Sequence, residues 1–436
     1  MKKYFYALSF LFPIAIGNAQ MLDLETCLKM ADTANLTIRN ARLNNQINDN
    51  DRSAYLAARL PKLSIAGDYK YNAILPGQLI PASAFGGPPG QFITAQFGVP
   101  FNLSTSAQLT QVIYNPQVNY GLAALKINTE IVKIQEGMTT QDIKYQVAST
   151  FFNLQAINKQ LNFIDENLLN MDKLIQQTEL LVNSGLRIQT EADKLKINRL
   201  TLVNTKETLT ATKKQLESFL KILIGKPVDQ TLSVQEDAIG ENTILVDPNN
   251  INHPELELLA MQQKMNAEER KGTTMSYLPN LTAYGVYNYT YNIQPETDNA
   301  AAFRTGINSA AIGLKLDWVL FDGMEKYNKN KSNKLKALQL ENDLETTKLQ
   351  LEMRTENLKM QISVQQNSLE IAKEQITLAQ NVYNQTKSQF EQGTATTSEL
   401  IVNENSLQQA QTNLVSAYIN LRLAELEYLK SIGNIK

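Results

Sequence analysis

The sequence of 436 residues contains a single cysteine and a single histidine, and this scarcity excludes several kinds of site. Cys27 has no partner for a disulfide within its own chain, and we interpret it as a small packed residue. Cys27 and His253 together are too few for a His/Cys zinc cluster. The sequence also lacks a P-loop or other nucleotide motif. An enzyme could still use carboxylates alone, but no other catalytic or metal-binding arrangement is available. We therefore expect no catalytic activity, no cofactor and no bound metal.

An excess of charge of one sign is also lacking. The chain has 41 basic and 43 acidic residues, a net charge of −2, and no basic face stands out. We therefore expect no nucleic-acid partner. Beyond the N-terminal segment there is no run of 18 apolar residues, which predicts that no helix crosses a membrane.

The N-terminal segment has the features of a secretory signal peptide. Lys2 and Lys3 are basic, Tyr4–Ile16 is apolar, and Gly17–Ala19 ends in small residues. We predict that residues 1–19 are a signal peptide cleaved near Ala19, without a cysteine for a lipid anchor. An exported chain of this kind is periplasmic, extracellular, or built into an outer membrane as a β-barrel.

Proline is absent between Pro116 and Pro227 and again after Pro295, which favours very long helices. Apolar residues recur every seven positions in both segments, and a second row lies between them. This spacing predicts a helix over residues 117–184, on the order of 100 Å long, with a seam for knobs-into-holes packing. The rows of the first copy are Val147, Leu154, Leu161, Leu168, Ile175 and Val182, with Ile157, Ile164, Met171 and Thr178; those of the second are Ile362, Leu369, Ile376, Tyr383 and Phe390, with Ala372, Ala379 and Thr386.

Gly185 and Gly393 end these two patterns at equivalent positions. Glycine accepts the left-handed conformation common at helix ends, so we expect the chain to fold back at both. A leucine row then resumes, at Leu195–Leu223 and Leu400–Tyr428, which predicts an antiparallel pair of long helices in each copy. We assign the polar residues between these rows, Glu404 among them, to a water-exposed face.

The two halves of the chain resemble each other. Arg59–Leu63 returns as Tyr277–Leu281, and Leu109–Asn115 returns as Leu316–Asp322. Each copy reads helix, strand, loop, strand, very long helix, glycine, long helix, which indicates an internal duplication. We therefore divide the chain into a signal peptide at 1–19, a first repeat at 20–225, an inter-repeat segment on the flank of the helices at 226–250, and a second repeat at 251–436.

Four segments alternate between apolar and polar residues, as strands with two unlike faces do. Each is about as long as a tilted membrane-spanning strand, roughly 9–11 residues. Aromatic residues lie toward the strand ends, as in the girdle of a membrane barrel. A half-buried sheet in a soluble protein shows the same alternation. The strands are Lys62–Asn72, Asn102–Tyr114, Leu281–Asn292 and Ile312–Leu320, and the girdle residues are Tyr69, Tyr71, Tyr287, Tyr289, Tyr291 and Trp318.

Four strands cannot form a closed sheet in lipid, where every backbone N–H and C=O must be paired. The smallest membrane barrels have about eight strands, so the chain must associate with copies of itself. Two copies give eight strands and three give twelve, and the strand pattern leaves both open. We expect Ala73–Pro100 to be a long exterior loop and Ile293–Thr305 a shorter one.

These motifs together resemble the TolC-like outer-membrane efflux protein family, or outer membrane factors. The resemblance rests on the duplicated element order, on Asn252–Leu256 at the start of the second copy, and on the Leu-Pro-x-Leu motifs at Leu60 and Leu278. It also rests on the Gly-x5-Glu turns, Gly185 to Glu191 and Gly393 to Glu399. The resemblance covers nearly all of the mature sequence.

The resemblance implies a mainly α-helical trimer, in which a transmembrane 12-stranded β-barrel is continuous with a long 12-helix α-barrel. The implied function is a passive exit duct in a tripartite efflux or type I secretion system. The duct would carry cargo from the periplasm across the outer membrane to the exterior. Implied partners are outer-membrane lipid, a periplasmic adaptor (membrane fusion) protein, and an inner-membrane transporter of the RND, ABC or MFS type. Adaptor contact would involve the two turns, with Ser184, Gly185, Gln392, Gly393 and Thr394.

Members of this family close the periplasmic end of the tube with acidic residues linked to a tyrosine and an arginine. Glu191 and Glu399 match the acidic positions, whereas Phe390 replaces the tyrosine, Ala395 the arginine and Val402 a second acid. We therefore expect closure to rest on packing around Phe390 and Leu186. We also hypothesise that Glu191 and Glu399 make the closed pore cation-selective, although both acids are equally typical of an ordinary helix start.

A different class of function fits part of the pattern. Heptads alone do not distinguish a tube from a stalk, so the alternative is a secreted coiled-coil scaffold with a small soluble sheet and no channel activity. Such a scaffold would stay in solution without detergent, whereas a duct would fractionate with outer membranes and conduct ions.

Overall fold

The computed structural model describes residues 21–235, 253–296 and 301–435. The predicted signal peptide, most of the inter-repeat segment and Asn252 lie outside these ranges. The helices are α1 (Leu24–Ala34), α2 (Leu36–Leu56), α3 (Pro116–Asn183), α4 (Gln189–Leu223), α5 (Pro254–Met275), α6 (Glu325–Glu391) and α7 (Thr397–Ser431). The strands are β1 (Met21–Leu22), β2 (Lys62–Tyr71), β3 (Gly77–Pro81), β4 (Phe92–Gln96), β5 (Phe101–Tyr114), β6 (Ser233–Val234), β7 (Asn280–Gln294) and β8 (Phe303–Asp317).

The long helices follow the heptad prediction closely. Helix α3 has 68 residues and α6 has 67, and each ends two residues before its glycine. They form because their sequences lack proline and because tertiary packing of one apolar seam stabilises a helix far more than its intrinsic propensity does. The described part of the second copy follows the predicted order of elements, and the first copy does so except within its predicted loop.

The chain divides into two compact units, and each contains residues from both repeats. The first unit comprises residues up to 45, 132–259 and 343–436. Its core lies along the predicted seam, where Val147, Leu154 and Met171 are fully buried together with Leu195 and Leu400. Val147 and Leu154 lie in a cluster that joins α1, the middle of α3 and the end of α4 and also contains Cys27, whereas Met171, Leu195 and Leu400 lie in a second cluster. Burial raises the pKa of that thiol to about 11, as expected for a small packed residue.

The inter-repeat segment enters the same unit through one short strand. Ser233 and Val234 pair in parallel with Met21 and Leu22. Val234 is buried in the cluster that contains Cys27. This contact agrees with a position on the flank of the helices, and the repeat boundaries themselves stay a prediction.

The second unit comprises residues 46–131 and 260–342 and contains a four-stranded antiparallel sheet in the order β2-β5-β7-β8. The strands of the first copy pair with each other, as do those of the second, and β5 joins β7 at the centre. Strands β2 and β8 are the two edges. In the described residues no helix is long and apolar enough to span a bilayer.

Two strand-level predictions need correction. Strand β8 ends at Asp317, so Trp318 and Leu320 follow the strand instead of belonging to it, and the strand begins at Phe303, well before the predicted Ile312. The alternation is interrupted there by Ala310 and Ala311, which hid the first half of the strand. The segment Ala73–Pro100 is not simply a loop, since β3 and β4 form an antiparallel hairpin within it.

Candidate functional site

The two turns between the long helices have the same geometry. Gly185 and Gly393 adopt left-handed φ angles of 73° and 77°. In the first turn the Leu186 N–H donates to the Leu181 carbonyl at 2.9 Å and the Gly185 N–H to the Val182 carbonyl at 2.9 Å. In the second turn Thr394 and Gly393 donate to Gln389 and Phe390 in the same way. This pair of bonds is a Schellman motif, which requires a left-handed residue at the position of each glycine.

The turn residues assigned to adaptor contact lie at the surface. The Ser184 hydroxyl donates to the Leu180 carbonyl at 2.9 Å, and the Thr394 hydroxyl donates to the Gln389 carbonyl at 3.0 Å. Ser184, Gly185, Gln392, Gly393 and Thr394 are all exposed. Contact with an adaptor remains a prediction for these residues.

Glu191 and Glu399, the acids predicted to lie at the gate, make different contacts at the starts of α4 and α7. Glu399 forms a capping box with Thr396: its carboxylate accepts from the Thr396 N–H at 2.8 Å and from the Thr396 hydroxyl at 3.0 Å. The backbone bond, and then the hydroxyl bond, lower the pKa of Glu399, so this cap is lost only as pH falls through that lowered pKa. Glu191 makes no such cap, and α4 starts without a side-chain cap at Ile188.

Arg187 joins the first turn to the second hairpin. Its guanidinium donates to the Glu191 carboxylate at 2.8 Å and to the Phe390 carbonyl at 2.9 Å. The same group lies over the Phe390 ring, 4.1 Å from its centroid. The Arg187 side chain is only 12% exposed, so these contacts are largely screened from water. One side chain therefore links the α3–α4 hairpin to the end of α6, and we call it the tip staple.

The sequence prediction placed no arginine at this tip, because Ala395 occupies the expected position. Arg187 is the repeat-equivalent of Ala395, 208 positions earlier. The duplication that aligned Glu191 with Glu399 therefore also contained the signal for the tip staple. The arginine lies in the other copy and reaches Phe390 from the opposite hairpin.

Phe390 and Leu186 are not brought together within one chain. Phe390 is buried in a cluster with Met171, Tyr383 and Leu400. Leu186 is 73% exposed, because it lies in the turn beyond the helices that form this cluster. Packing within the chain thus involves Phe390 and Arg187, and a closing role for Leu186 stays a prediction for contacts between chains.

Replacing the tip staple is expected to separate the two hairpins locally. Arg187→Met removes two charge-assisted hydrogen bonds and a cation–π contact, which we expect to weaken hairpin pairing by about 1–3 kcal/mol. Amide hydrogen exchange at residues 389–396 measures this loss. Arg199→Met is the matched control, since Arg199 pairs with Asp172 inside one hairpin at a half-exposed site. Its effect should be clearly smaller, because an exposed ion pair adds little to stability, and equal effects of both variants would contradict the role of the staple.

The assignment of Glu404 to a water-exposed face is wrong. Glu404 is 2% exposed and lies in the second row of the α7 seam, four residues after Leu400 and three before Leu407. This row was missed because its members are polar or aromatic and carry no apolar pattern. All four are buried: Glu404, Gln411, Tyr418 and Glu425.

The sheet of the second unit has one apolar and aromatic face. The register aligns Tyr69 with Leu103 and Leu103 with Tyr291, so the apolar faces of the strands coincide. Leu63, Ile65, Ile312 and Leu314 on this face are at least 70% exposed. The opposite face carries polar ladders, such as the Asn102 amide that donates to Asn292 at 2.7 Å.

The predicted girdle residues lie at different heights on the sheet. Tyr69 and Tyr71 contact Phe101 at one end, with ring centroids 6.3 and 4.8 Å apart. Trp318 lies at the opposite end, where its indole N–H donates to the Tyr277 carbonyl at 3.0 Å. Tyr291 is close to the first end, Tyr289 is two residues nearer the centre, and Tyr287 is halfway along β7. Tyr287 therefore does not belong to an end girdle.

The comparisons with known proteins agree with these features. Residues 250–434 match the family model described as outer membrane efflux protein. No curated protein matches the chain significantly. The structure resembles CusC, a transmembrane channel, with a TM-score of 0.74 at 13% identity over 98% of this chain and 96% of CusC. It resembles the outer-membrane channel OprN with a TM-score of 0.73 at 14% identity over 94% and 90% of the two chains. The outer membrane protein VceC from Vibrio cholerae gives 0.72 at 13% identity over 94% and 96%.

Outer-membrane efflux proteins are channels and not enzymes, in agreement with the sequence prediction. In the described ranges no group of three or more histidine, cysteine or acidic residues is placed to hold a metal ion. The resemblance predicted from the sequence is confirmed: residues 250–434 match the outer membrane efflux protein family, and the fold resembles those of solved outer-membrane channels over nearly the whole chain.

Proposed function

We propose that three copies of this chain form a passive exit duct through the outer membrane, with a 12-stranded β-barrel continuous with a 12-helix α-barrel. The observation that carries this proposal is the sheet of the second unit. It has an apolar face, a polar face and two edge strands, β2 and β8, without partners in the described chain. In hydrocarbon both edges must be paired, and pairing β8 of one copy with β2 of the next closes the sheet.

The long helices of the first unit also favour self-association. Helix α6 carries a second apolar row at heptad-like spacing that stays about half exposed or more in the described residues. An exposed row of this kind is typical of a surface that packs against another helix. We propose a neighbouring copy of this chain as the partner, because the same kind of partner would cover the apolar row of α6 and pair with the edge strands β2 and β8. The row contains Leu349, Met353, Met360, Val364, Ile371, Leu378 and Val382, each about half exposed or more.

The duct itself contains no energy source. A periplasmic adaptor protein would bind the exposed turns at Asn183–Ile188 and Glu391–Thr396, and an inner-membrane transporter of the RND, ABC or MFS type would drive export. Cargo would be drugs or other small molecules, or polypeptides. Residues 1–19 would direct export and be removed near Ala19.

Fractionation and conductance test this function together. The full-length protein expressed with its signal peptide should be recovered from outer membranes, should require detergent, and should form ion-conducting pores in a planar bilayer. Recovery as a soluble protein without conductance would support the coiled-coil scaffold instead.

The gate proposal concerns the charge at the periplasmic end. Glu191 and Glu399 of three chains would form a ring of six carboxylates, which attracts cations at a constriction. Arg187 offsets the charge of Glu191 within each chain, whereas Glu399 is bound only by the neutral Thr396. Most of the selectivity should therefore come from Glu399.

The expected result for Glu399→Gln is a shift of the reversal potential toward zero in a salt gradient. Glu191→Gln should cause a smaller shift, and the double variant a shift close to that of Glu399→Gln alone. Glutamine can still complete a capping box, so the helix start should be retained. Glu374→Gln, on an exposed position of α6, is the control. Unchanged selectivity in the double variant would remove the gate hypothesis.

A further inference from the structure

Glu404 is a buried acid in the core of the first unit, on α7 four residues after Leu400. One carboxylate oxygen accepts from the Asn198 amide at 3.2 Å. The other oxygen is buried and makes no hydrogen bond in the described residues, although the Gln408 amide nitrogen, also without a partner, is close enough to act on the carboxyl. An ionised carboxylate in such a place is costly, because it has lost water and gained only neutral partners. The packed arrangement is therefore better suited to the neutral acid.

Among the residues that the structure describes, no basic side chain acts on Glu404. From α6 it faces the Tyr383 phenol, which is 4% exposed, and from α4 it faces Asn198. On α7 the nearest polar groups are Gln408 and Asn403, and the Asn403 amide donates to Thr386 at 2.8 Å. The basic residues of α4 and the acids of α3 in this region bind other groups: Lys194 binds Ser398, Lys196 binds Glu179, and Arg199 binds Asp172.

We propose that Glu404 is a proton-binding site that controls how tightly the two helical hairpins of each chain pack near their turns. The neutral acid leaves the cluster of Tyr383, Phe390 and Leu400 intact. Loss of the proton places a charge in that cluster, and separation of the hairpins relieves it by admitting water. A role of Glu404 in regulating the duct rests on the proposed function. Its effect on hairpin packing concerns the single chain and does not depend on that function.

The sign of the pH effect follows from the direction of the pKa change. Burial raises the pKa of Glu404 from 4.5 to about 7, and the Asn198 and Gln408 amides offset this only in part. Burial, followed by the charge of Glu404, also raises the pKa of Tyr383, so the phenol stays neutral throughout. An acid with a raised pKa in the packed state destabilises that state as pH rises from about 4.5 to about 7. Packing should thus be tightest in acid and loosest above neutrality.

Amide hydrogen exchange of the full-length protein in detergent tests the proposal. After correction for the intrinsic rates, residues 383–411 should open more often at pH 8 than at pH 5, by roughly seventyfold if separation exposes Glu404 to water. Glu404→Gln, which mimics the neutral acid, should remain protected at both pH values. Glu374→Gln, at an exposed position of α6, should respond like the wild-type protein. An equal pH response in Glu404→Gln and wild type would overturn the proposal.

A second variant keeps the test decisive if Glu404→Gln does not fold. Asn198→Leu removes the amide that donates to the carboxylate at a half-buried site, so the midpoint of the pH response should move to higher pH. An unchanged midpoint would contradict a role for Glu404. Conductance measured at the same pH values separates this outcome from failure of the duct, since hydrogen exchange reports packing whether or not the protein conducts.

Discussion

Ile312→Arg is expected to prevent stable assembly of the protein in the outer membrane. Ile312 is 95% exposed, lies near the middle of β8, and belongs to the apolar face of the sheet. An arginine facing lipid at the centre of a barrel strand costs about 2–4 kcal/mol. In a trimer this cost applies to each of the three chains. The measurement is the fraction of protein recovered as assembled oligomer from outer membranes, together with its resistance to urea.

Ala311→Arg is the matched control for this prediction. Ala311 is the neighbouring residue of the same strand, is exposed, and points to the opposite, polar face because successive side chains alternate. An arginine there should face water inside the barrel and leave assembly nearly unchanged. If both variants assemble equally well, or fail equally, the apolar face does not contact lipid.

Leu400→Ala should cause the largest loss of stability near the turns. Leu400 is fully buried in the cluster with Phe390, Tyr383 and Leu195, four residues before Glu404. Removing its side chain eliminates buried apolar surface and leaves a cavity, for which we expect about 2–5 kcal/mol. The loss should be confined to this part of the first unit, so hydrogen exchange in residues 383–411 should rise while the cluster around Cys27 stays protected.

Val402→Ala is the corresponding control on the same helix. Val402 is 60% exposed, so truncation should change stability by no more than about 0.5 kcal/mol. A large effect of Val402→Ala in the isolated protein would indicate that this side chain is buried by another chain. A small effect of Leu400→Ala would contradict the cluster itself.

The sequence predicted the helices and turns well, because their signals are local and strong. Long proline-free segments, apolar rows every seven residues and a glycine at each end leave little choice of structure. Helix α3 differs from its predicted range by one residue at each end. The strands were also found where alternation was regular, as in β2, and missed where alanines interrupted it, as in the first half of β8.

The tip contacts were less predictable, since they depend on which residues meet across the hairpins. Arg187 reaches Phe390 from a position 203 residues away in the chain. No periodicity in either segment reports that contact. Glu404 was predicted to be exposed because it is acidic. Its spacing from Leu400 and Leu407 instead places it in the buried seam. A prediction based on seam position alone would have placed it correctly.

The number of chains in the detergent-solubilised assembly tests the central claim most directly. Native mass spectrometry of the full-length protein purified from outer membranes should give one species that contains three chains. A folded single chain, stable in buffer without detergent, would contradict the account, because the edges of β2 and β8 would then need no partner.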